Sequence, residues 1–241
     1  MRSCDVYWLG RLPYEPAWRL QTAMVAAVKR GDMGFSLLLL EHPSVFTLGR
    51  RADGSNLLWS EARCQSEGVY VVRSDRGGDA TYHGPGQLVG YPIVDLADLN
   101  MDVWQYVRNL ERSLISYLRT VGIESAGGPP GLAGVWVGPD KIAAIGVKLS
   151  QSVASHGFAL NLTTDLRIFN EGIVPCGLAD RRATSVAAVG GPSLDVESSA
   201  RAFTPHFGEC FQSETRWFDS ARLQSLGEVA GDAVETLESR F

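Results

Sequence analysis

The chain has 241 residues, 45% hydrophobic and 20% charged, with a formal net charge of −5 and a pI near 5.4. That length buries a full core and predicts one large domain or a domain with a small appendage, and the composition is that of a globular chain. The acidic balance argues against a broad nucleic-acid-binding face, which needs a basic surface, and leaves small molecules and proteins as the expected partners.

The residues after Met1 carry no apolar stretch of signal-peptide form, and the longest apolar run, Leu37 to Leu40, is too short to cross a bilayer. A cytoplasmic location with no membrane partner is expected. The cysteines at 4, 64, 176 and 210 form no CxxC pair and no zinc-type spacing, so they are expected as free thiols.

Val6 to Leu9 reads as a strand, and Pro16 to Arg30 carries Leu20, Met24, Val25 and Val28 at helical spacing, with Pro16 tolerated in the first turn. Phe35 to Leu40 is apolar except for Ser36, which fits a strand buried on both faces. Val69 to Val72 is a strand feeding a glycine-rich loop, and Leu88 to Val94 leads out of it, so the loop is expected to join two core strands. From Met101 to Val121, residues Val103, Trp104, Val107, Leu110, Leu114, Leu118 and Val121 make one helical face, with Asn100 read as N-cap and Gly122 as stop. Val135 to Val137, Gly138 to Asp140 and Lys141 to Leu149 read as strand, turn and strand. Gly157 to Leu162 is a further strand, followed by a polar stretch leading to an apolar strand around Ile173. After Gly190-Gly191-Pro192 the spacing of Ala200, Phe203, Phe207 and Phe211 predicts a helix, with another stretch near Leu223 to Leu237.

Two features carry chemistry. The run from Arg76 to Pro92 holds five glycines, two prolines and a histidine. Glycine accepts φ > 0 and leaves main-chain N–H groups uncovered, so this run is either a tight connection that needs its glycines for turns or, as its Arg, Thr, Tyr, His and Gln favour, a binding loop able to wrap a carbonyl or a phosphate. The second feature is the pair Cys176 and Lys141. Cys176, between Pro175 and Gly177, is either a nucleophile on a sharp turn or an inert buried thiol. Lys141 is one of only three lysines beside a large excess of arginine; it is either a turn residue or a group able to exchange protons near neutrality. His42, His83 and His156 lack the close spacing of a metal site. No Walker loop, dinucleotide fingerprint or Gly-x-Ser-x-Gly elbow is present.

Taken together, Arg76-Gly77-Gly78 through Thr81-Tyr82-His83-Gly84-Pro85-Gly86-Gln87-Leu88 and Tyr91-Pro92, Lys141-Ile142-Ala143-Ala144-Ile145-Gly146, His156-Gly157-Phe158-Ala159-Leu160-Asn161 and Pro175-Cys176-Gly177 resemble the lipoyl(octanoyl) transferases. The resemblance covers about residues 5 to 190. It implies an α/β (α+β) fold: a mixed sheet packed with helices, like the catalytic domain of biotin and lipoate protein ligases, over 1–190, with 191–241 a small helical C-terminal region of the same unit.

The resemblance also implies an acyltransferase that moves octanoyl from acyl carrier protein to a lysine on lipoyl domains of 2-oxoacid dehydrogenase E2 subunits and on the glycine cleavage H protein. Cys176 and Lys141 would form its catalytic dyad. Arg76, Gly77, Gly78, Asp79, Ala80, Thr81, Tyr82 and His83, with Ala144, Ile145, Gly146, Gly157, Phe158 and Ala159, would bind substrate. No cofactor, ATP, metal or nucleic acid is expected, and a monomer is. Arg50, Arg51, Arg181 and Arg182 either steer an acidic carrier or are solvated. The segment Phe169 to Ile173 is a residue longer than the family pattern and is expected in a loop. Rival readings are an ATP-dependent ligase on the same fold, an amidotransferase between lipoyl proteins, and a silent module that binds acyl carriers or lipoyl domains.

Overall fold

The computed structural model describes residues 2–128, 131–174 and 182–223. Cys176, its Pro175 and Gly177 neighbours, Arg181 and most of the stretch 223–237 lie outside the described residues.

The chain opens with β1 (Arg2–Arg11) and α1 (Tyr14–Arg30), followed by β2 (Ser36–Glu41) and β3 (Val45–Leu48). Next come α2 (Glu61–Ser66), β4 (Tyr70–Arg73), β5 (Ala80–His83) and β6 (Gln87–Asp95). After α3 (Leu96–Leu99) and α4 (Val103–Thr120), strands β7 (Ala126–Gly127), β8 (Gly134–Val137), β9 (Asp140–Ser150) and β10 (Val153–Asn161) follow. Helices α5 (Leu166–Gly172) and α6 (Val196–Cys210), strand β11 (Ser213–Phe218) and a 3-10 turn at Ser220–Leu223 complete it.

Eight strands form one mixed sheet in the order β11-β1-β2-β6-β10-β9-β8-β7. The pairs of β1 with β11 and with β2 are parallel, and the rest are antiparallel. Three more strands form a small sheet, β4-β3-β5.

Successive side chains of a strand face opposite sides, and β2 uses both. Leu37 and Leu39 pack into the core under α4 and α6, while Leu38 and Leu40 join Leu20 and Met24 of α1 on the other face. A strand buried on both sides has no polar alternation, as the sequence run predicts. A third core, with Phe46, Trp59, Tyr82 and Phe169, lies under the small sheet.

Several sequence expectations need correction. Asp102, not Asn100, caps α4: its side chain accepts from the Gln105 N–H while the Gln105 side chain accepts from the Asp102 N–H, a reciprocal capping box. Asn100 closes α3 instead, at φ 53°. The glycine loop does not join two strands of the main sheet, because β4 is the edge of the small sheet and exposes Tyr70. Within that glycine-rich run, Ala80–His83 forms β5, paired with β3. Residues Phe169 to Gly172 are helical, the last turns of α5, rather than a loop. The helix predicted from the Phe203-Phe207-Phe211 spacing exists, but the region after 190 also supplies β11, which extends the main sheet alongside β1.

Candidate active site

The Arg76–Asp79 loop is held by its carbonyls. The Arg76 oxygen accepts from Arg50 N–H at 3.1 Å, that of Gly78 from Arg51 N–H at 3.1 Å, and that of Asp79 from Gly49 N–H at 3.2 Å. The buried Arg76 side chain completes the set: Nη1 donates to the Gly77 oxygen at 3.0 Å, and Nη2 donates to those of Thr47 and Asp79 at 2.5 and 2.6 Å. A side chain at position 49 would strike this turn, since a Cβ there would lie 2.5 Å from the Gly78 oxygen. C=O and N–H point opposite ways across a planar trans peptide. The bound Gly77 and Gly78 carbonyls therefore turn the N–H groups of Gly78 and Asp79 the other way, and neither N–H has a partner among the described residues. The N–H of Gly77 is taken by Val147 O at 2.9 Å, and that of Ala80 by the Asp79 carboxylate at 2.7 Å.

This loop lies over β9 and β10 where their registers place Ala144 opposite Ala159 and Gly146 opposite Gly157. The side chains there are small because the backbones are close. A Cβ on Gly146 would sit 2.9 Å from the Gly77 oxygen, and one on Gly157 2.2 Å from the Gly90 oxygen. The result is a slot lined by Arg76 to Thr81, His83, Lys141, Ala144 to Gly146 and Gly157 to Ala159. Tyr14, Tyr91, His156 and Phe169 complete its walls. Of the residues expected from sequence, Tyr82 is not among them. It points into the third core, fully buried, with its hydroxyl 3.0 Å from Ser44 Oγ.

Lys141 enters the slot from the second position of β9. Its Nζ lies 4.7 Å from the centroid of the Trp136 ring, a cation–π contact, and the residue is buried. Its main chain is fastened on both sides, N–H to Arg182 O at 2.8 Å and C=O from Thr184 N–H at 2.9 Å. A polar network runs from there to the glycine loop. Asn161 donates to Thr184 O at 2.9 Å, Gln87 donates to Asn161 Oδ1 at 2.9 Å, and the Gln87 carbonyl accepts from His83 Nδ1 at 2.8 Å. His83 therefore carries its proton on Nδ1, and burial holds its pKa well below the ordinary histidine value, so it is neutral.

The other end of the slot holds His156. Its Nε2 lies 2.8 Å from Asp75 Oδ1, while Lys148 Nζ bonds Asp75 Oδ2. Bonding to His156 and Lys148 holds the Asp75 carboxyl well below the usual carboxylate range, and burial lowers the pKa of His156 despite that pairing. Nδ1 of His156 is buried and has no hydrogen-bond partner among the described residues. His42 is fully occupied, with Nδ1 donating to Leu12 O and Nε2 accepting from the Tyr91 hydroxyl. No group of metal-binding residues occurs among those described. Arg50, Arg51 and Arg182 are exposed.

Sequence reasoning missed Tyr14 and Phe169 as walls, and also the Asp75–His156 pair. Tyr91 sits in the Tyr91-Pro92 motif and was open to discovery; Asp75 and His156 lie 81 positions apart and share no local signal.

Residues 13–208 match the lipoyl protein ligase A/B catalytic domain. The chain belongs to this family. It is 50% identical over 214 residues to an octanoyltransferase of Solibacter usitatus, covering 89% of this chain and 96% of that protein. It is 44% identical to one of Koribacter versatilis, covering 95% and 93%. It falls in the octanoyltransferase group of the lipoyl protein ligase family and is an acyltransferase. The fold is shared with a lipoate protein ligase of Thermoplasma acidophilum solved with bound lipoic acid, at a TM-score of 0.75 and 17% identity, covering 95% of this chain and 94% of that one.

Proposed function

We propose that this octanoyltransferase carries the octanoyl group on Cys176 as a thioester, between acyl carrier protein as donor and a lipoyl-domain lysine as acceptor. The observation that carries the reading is the convergence of the Arg76–Asp79 loop, Ala144–Gly146, Gly157–Ala159 and Lys141 on one slot. These segments are far apart in sequence and match the motifs that the resemblance assigns to substrate.

In this reading the Cys176 thiolate, favoured by the ammonium of Lys141, attacks the thioester carbonyl. The carrier thiol leaves with a proton, and an octanoyl-enzyme remains. The ε-amine of the acceptor lysine then attacks the second thioester, an amide C–N bond forms, and the Cys176–acyl bond breaks. Lys141 delivers and recovers the protons of both steps. Thioester exchange is nearly balanced and amide formation is downhill, so the sequence of steps needs no ATP. The N–H groups of Gly78 and Asp79 are the donors suited to the oxyanion that forms in each step, a contact whose loss costs on the order of 3 kcal/mol. The acceptors are lipoyl domains of 2-oxoacid dehydrogenase E2 subunits and the glycine cleavage H protein.

The test is intact-protein mass spectrometry after mixing with octanoyl acyl carrier protein without nucleotide, then with an apo lipoyl domain. An octanoyl adduct that is absent in Cys176→Ala and chases onto the domain supports the reading. Domain modification that requires octanoate and ATP, with no adduct, overturns it in favour of a ligase.

A further inference from the structure

We propose that the Asp75–His156 pair is the end stop of the acyl slot and sets the longest chain the enzyme accepts. This rests on the reading that the slot takes the acyl group.

The register of β9 and β10 gives the slot its direction. Lys141 stands at one end, Ala144 and Ala159 face each other further in, then Gly146 and Gly157, and Val147 lies opposite His156. From Lys141 to Val147 the strand runs about 20 Å, at about 3.3 Å per residue. That length takes up the lysine side chain, a thioester and a medium acyl chain laid end to end. Between the two ends Ala144, Gly146, Gly157 and Ala159 offer little bulk to halt a chain, while Ile145 and Phe158 pack into the main core. The imidazole of His156 enters the slot beyond Gly157, beside the ring of Tyr91.

Behind it lies a second cleft, lined by Trp18, Gln21, Thr22, Val25, Asp75 and Lys148. His156 faces the slot and Asp75 faces the second cleft, so the pair is the partition between them. The partition is rigid. Asp75 holds Nε2, Gln21 Oε1 accepts from the His156 main-chain N–H at 2.8 Å, and the rings of Trp18 and Tyr91 stand 6.5 and 6.1 Å away.

His156 occupies this place at a structural cost, which points to a role other than packing. It has φ 54°, a left-handed conformation unfavourable for a side chain with a Cβ, and its Nδ1 is buried without a partner. Glycine would relieve both faults and would also join the slot to the second cleft, whose Trp18 and Val25 offer apolar surface for further methylenes.

The experiment measures the rate of acyl-enzyme formation with octanoyl, dodecanoyl and tetradecanoyl acyl carrier protein, read by intact mass. The proteins are the wild type, His156→Gly, His156→Asn and the double variant His156→Gly/Thr22→Trp, which refills the second cleft. The expected result is a tenfold or greater fall in the octanoyl-to-dodecanoyl rate ratio in His156→Gly, a smaller fall in His156→Asn, which tolerates the left-handed backbone, and recovery of selectivity in the double variant. A ratio unchanged in His156→Asn and His156→Gly overturns the end stop. Wild-type protein that forms no acyl-enzyme with any donor overturns the reading of the slot instead.

Discussion

Arg76 Nη2 donates to the main-chain oxygen of Asp79 at 2.6 Å, so the residue that opens the glycine loop also fixes its far end. The guanidinium spans the turn from Thr47 to Asp79 as a planar fork, and a lysine ammonium cannot cover those oxygens at once. Each bond from a charged donor contributes roughly 1.5–3 kcal/mol. Arg76→Lys is expected to lower kcat/KM by about 10-fold or more, because the Gly78 and Asp79 N–H groups lose their fixed aim. Steady-state kinetics with octanoyl carrier protein checks this, and unchanged kcat/KM would rule out the anchoring role.

Lys141→Arg keeps a positive charge in the slot but cannot release a proton. Loss of general acid–base help lowers turnover by about 100-fold or more. The expected outcome is an acyl-enzyme that forms slowly and chases slowly, measured by quenched-flow mass spectrometry. Turnover equal to wild type would sink the proton-shuttle assignment.

The glycines of the slot separate a folding defect from a catalytic one. A Cβ at 157 would meet Gly90 O and Pro92 Cδ at 2.2 and 2.7 Å, so β6 has to shift, at a cost of roughly 1–3 kcal/mol. Gly157→Ala is expected to lower the melting temperature. At 146 the Cβ would meet the Gly77 oxygen of the loop, and Gly146→Ala is expected to impair activity more than stability. Gly34→Ala, where nothing lies within 4 Å, is the neutral control. Thermal melts paired with kinetics decide, and similar behaviour of Gly34→Ala and Gly157→Ala would contradict the packing argument.

Burial lowers the pKa of His42 from 6.5 to about 4, and lowers those of His83 and His156 as well. The unfolded chain takes up these protons first, so the stabilising contribution is complete above about pH 6.5 and is lost as pH falls toward 4. For His42 alone the loss is on the order of 3 kcal/mol. Urea unfolding at pH 7 and pH 4.5 tests this. His42→Gln, which can still donate to Leu12 O and accept from the Tyr91 hydroxyl, is expected to flatten the profile, and parallel profiles would refute the assignment.

The parts of the fold that were legible in the sequence are those whose burial repeats at a regular period. Leu37 to Leu40 announced a doubly buried strand, and Phe203, Phe207 and Phe211 announced α6. By contrast β11, Ser213–Phe218, carries Glu214 and Arg216 on an edge strand, where charge is tolerated and no apolar run forms. The site motifs were legible because glycine and alanine there answer to backbone contact. The inward turn of Tyr82 was not, since neighbouring residues of a strand face opposite ways and the phase is set by pairing with β3. Asp75 and His156 meet only after β9 and β10 are laid beside the loop.

The pairing of β1 with β11 also sets an order of events at birth. β1 pairs on one side with β2, from Asp5 onward, and on the other, through residues 2–7, with residues 213–218. At a synthesis rate of about 5–20 residues per second, that edge stays open for on the order of tens of seconds before its partner exists. The nascent chain therefore completes the intervening strands with this one unsealed, and β1 gains its second neighbour only once β11 has been made.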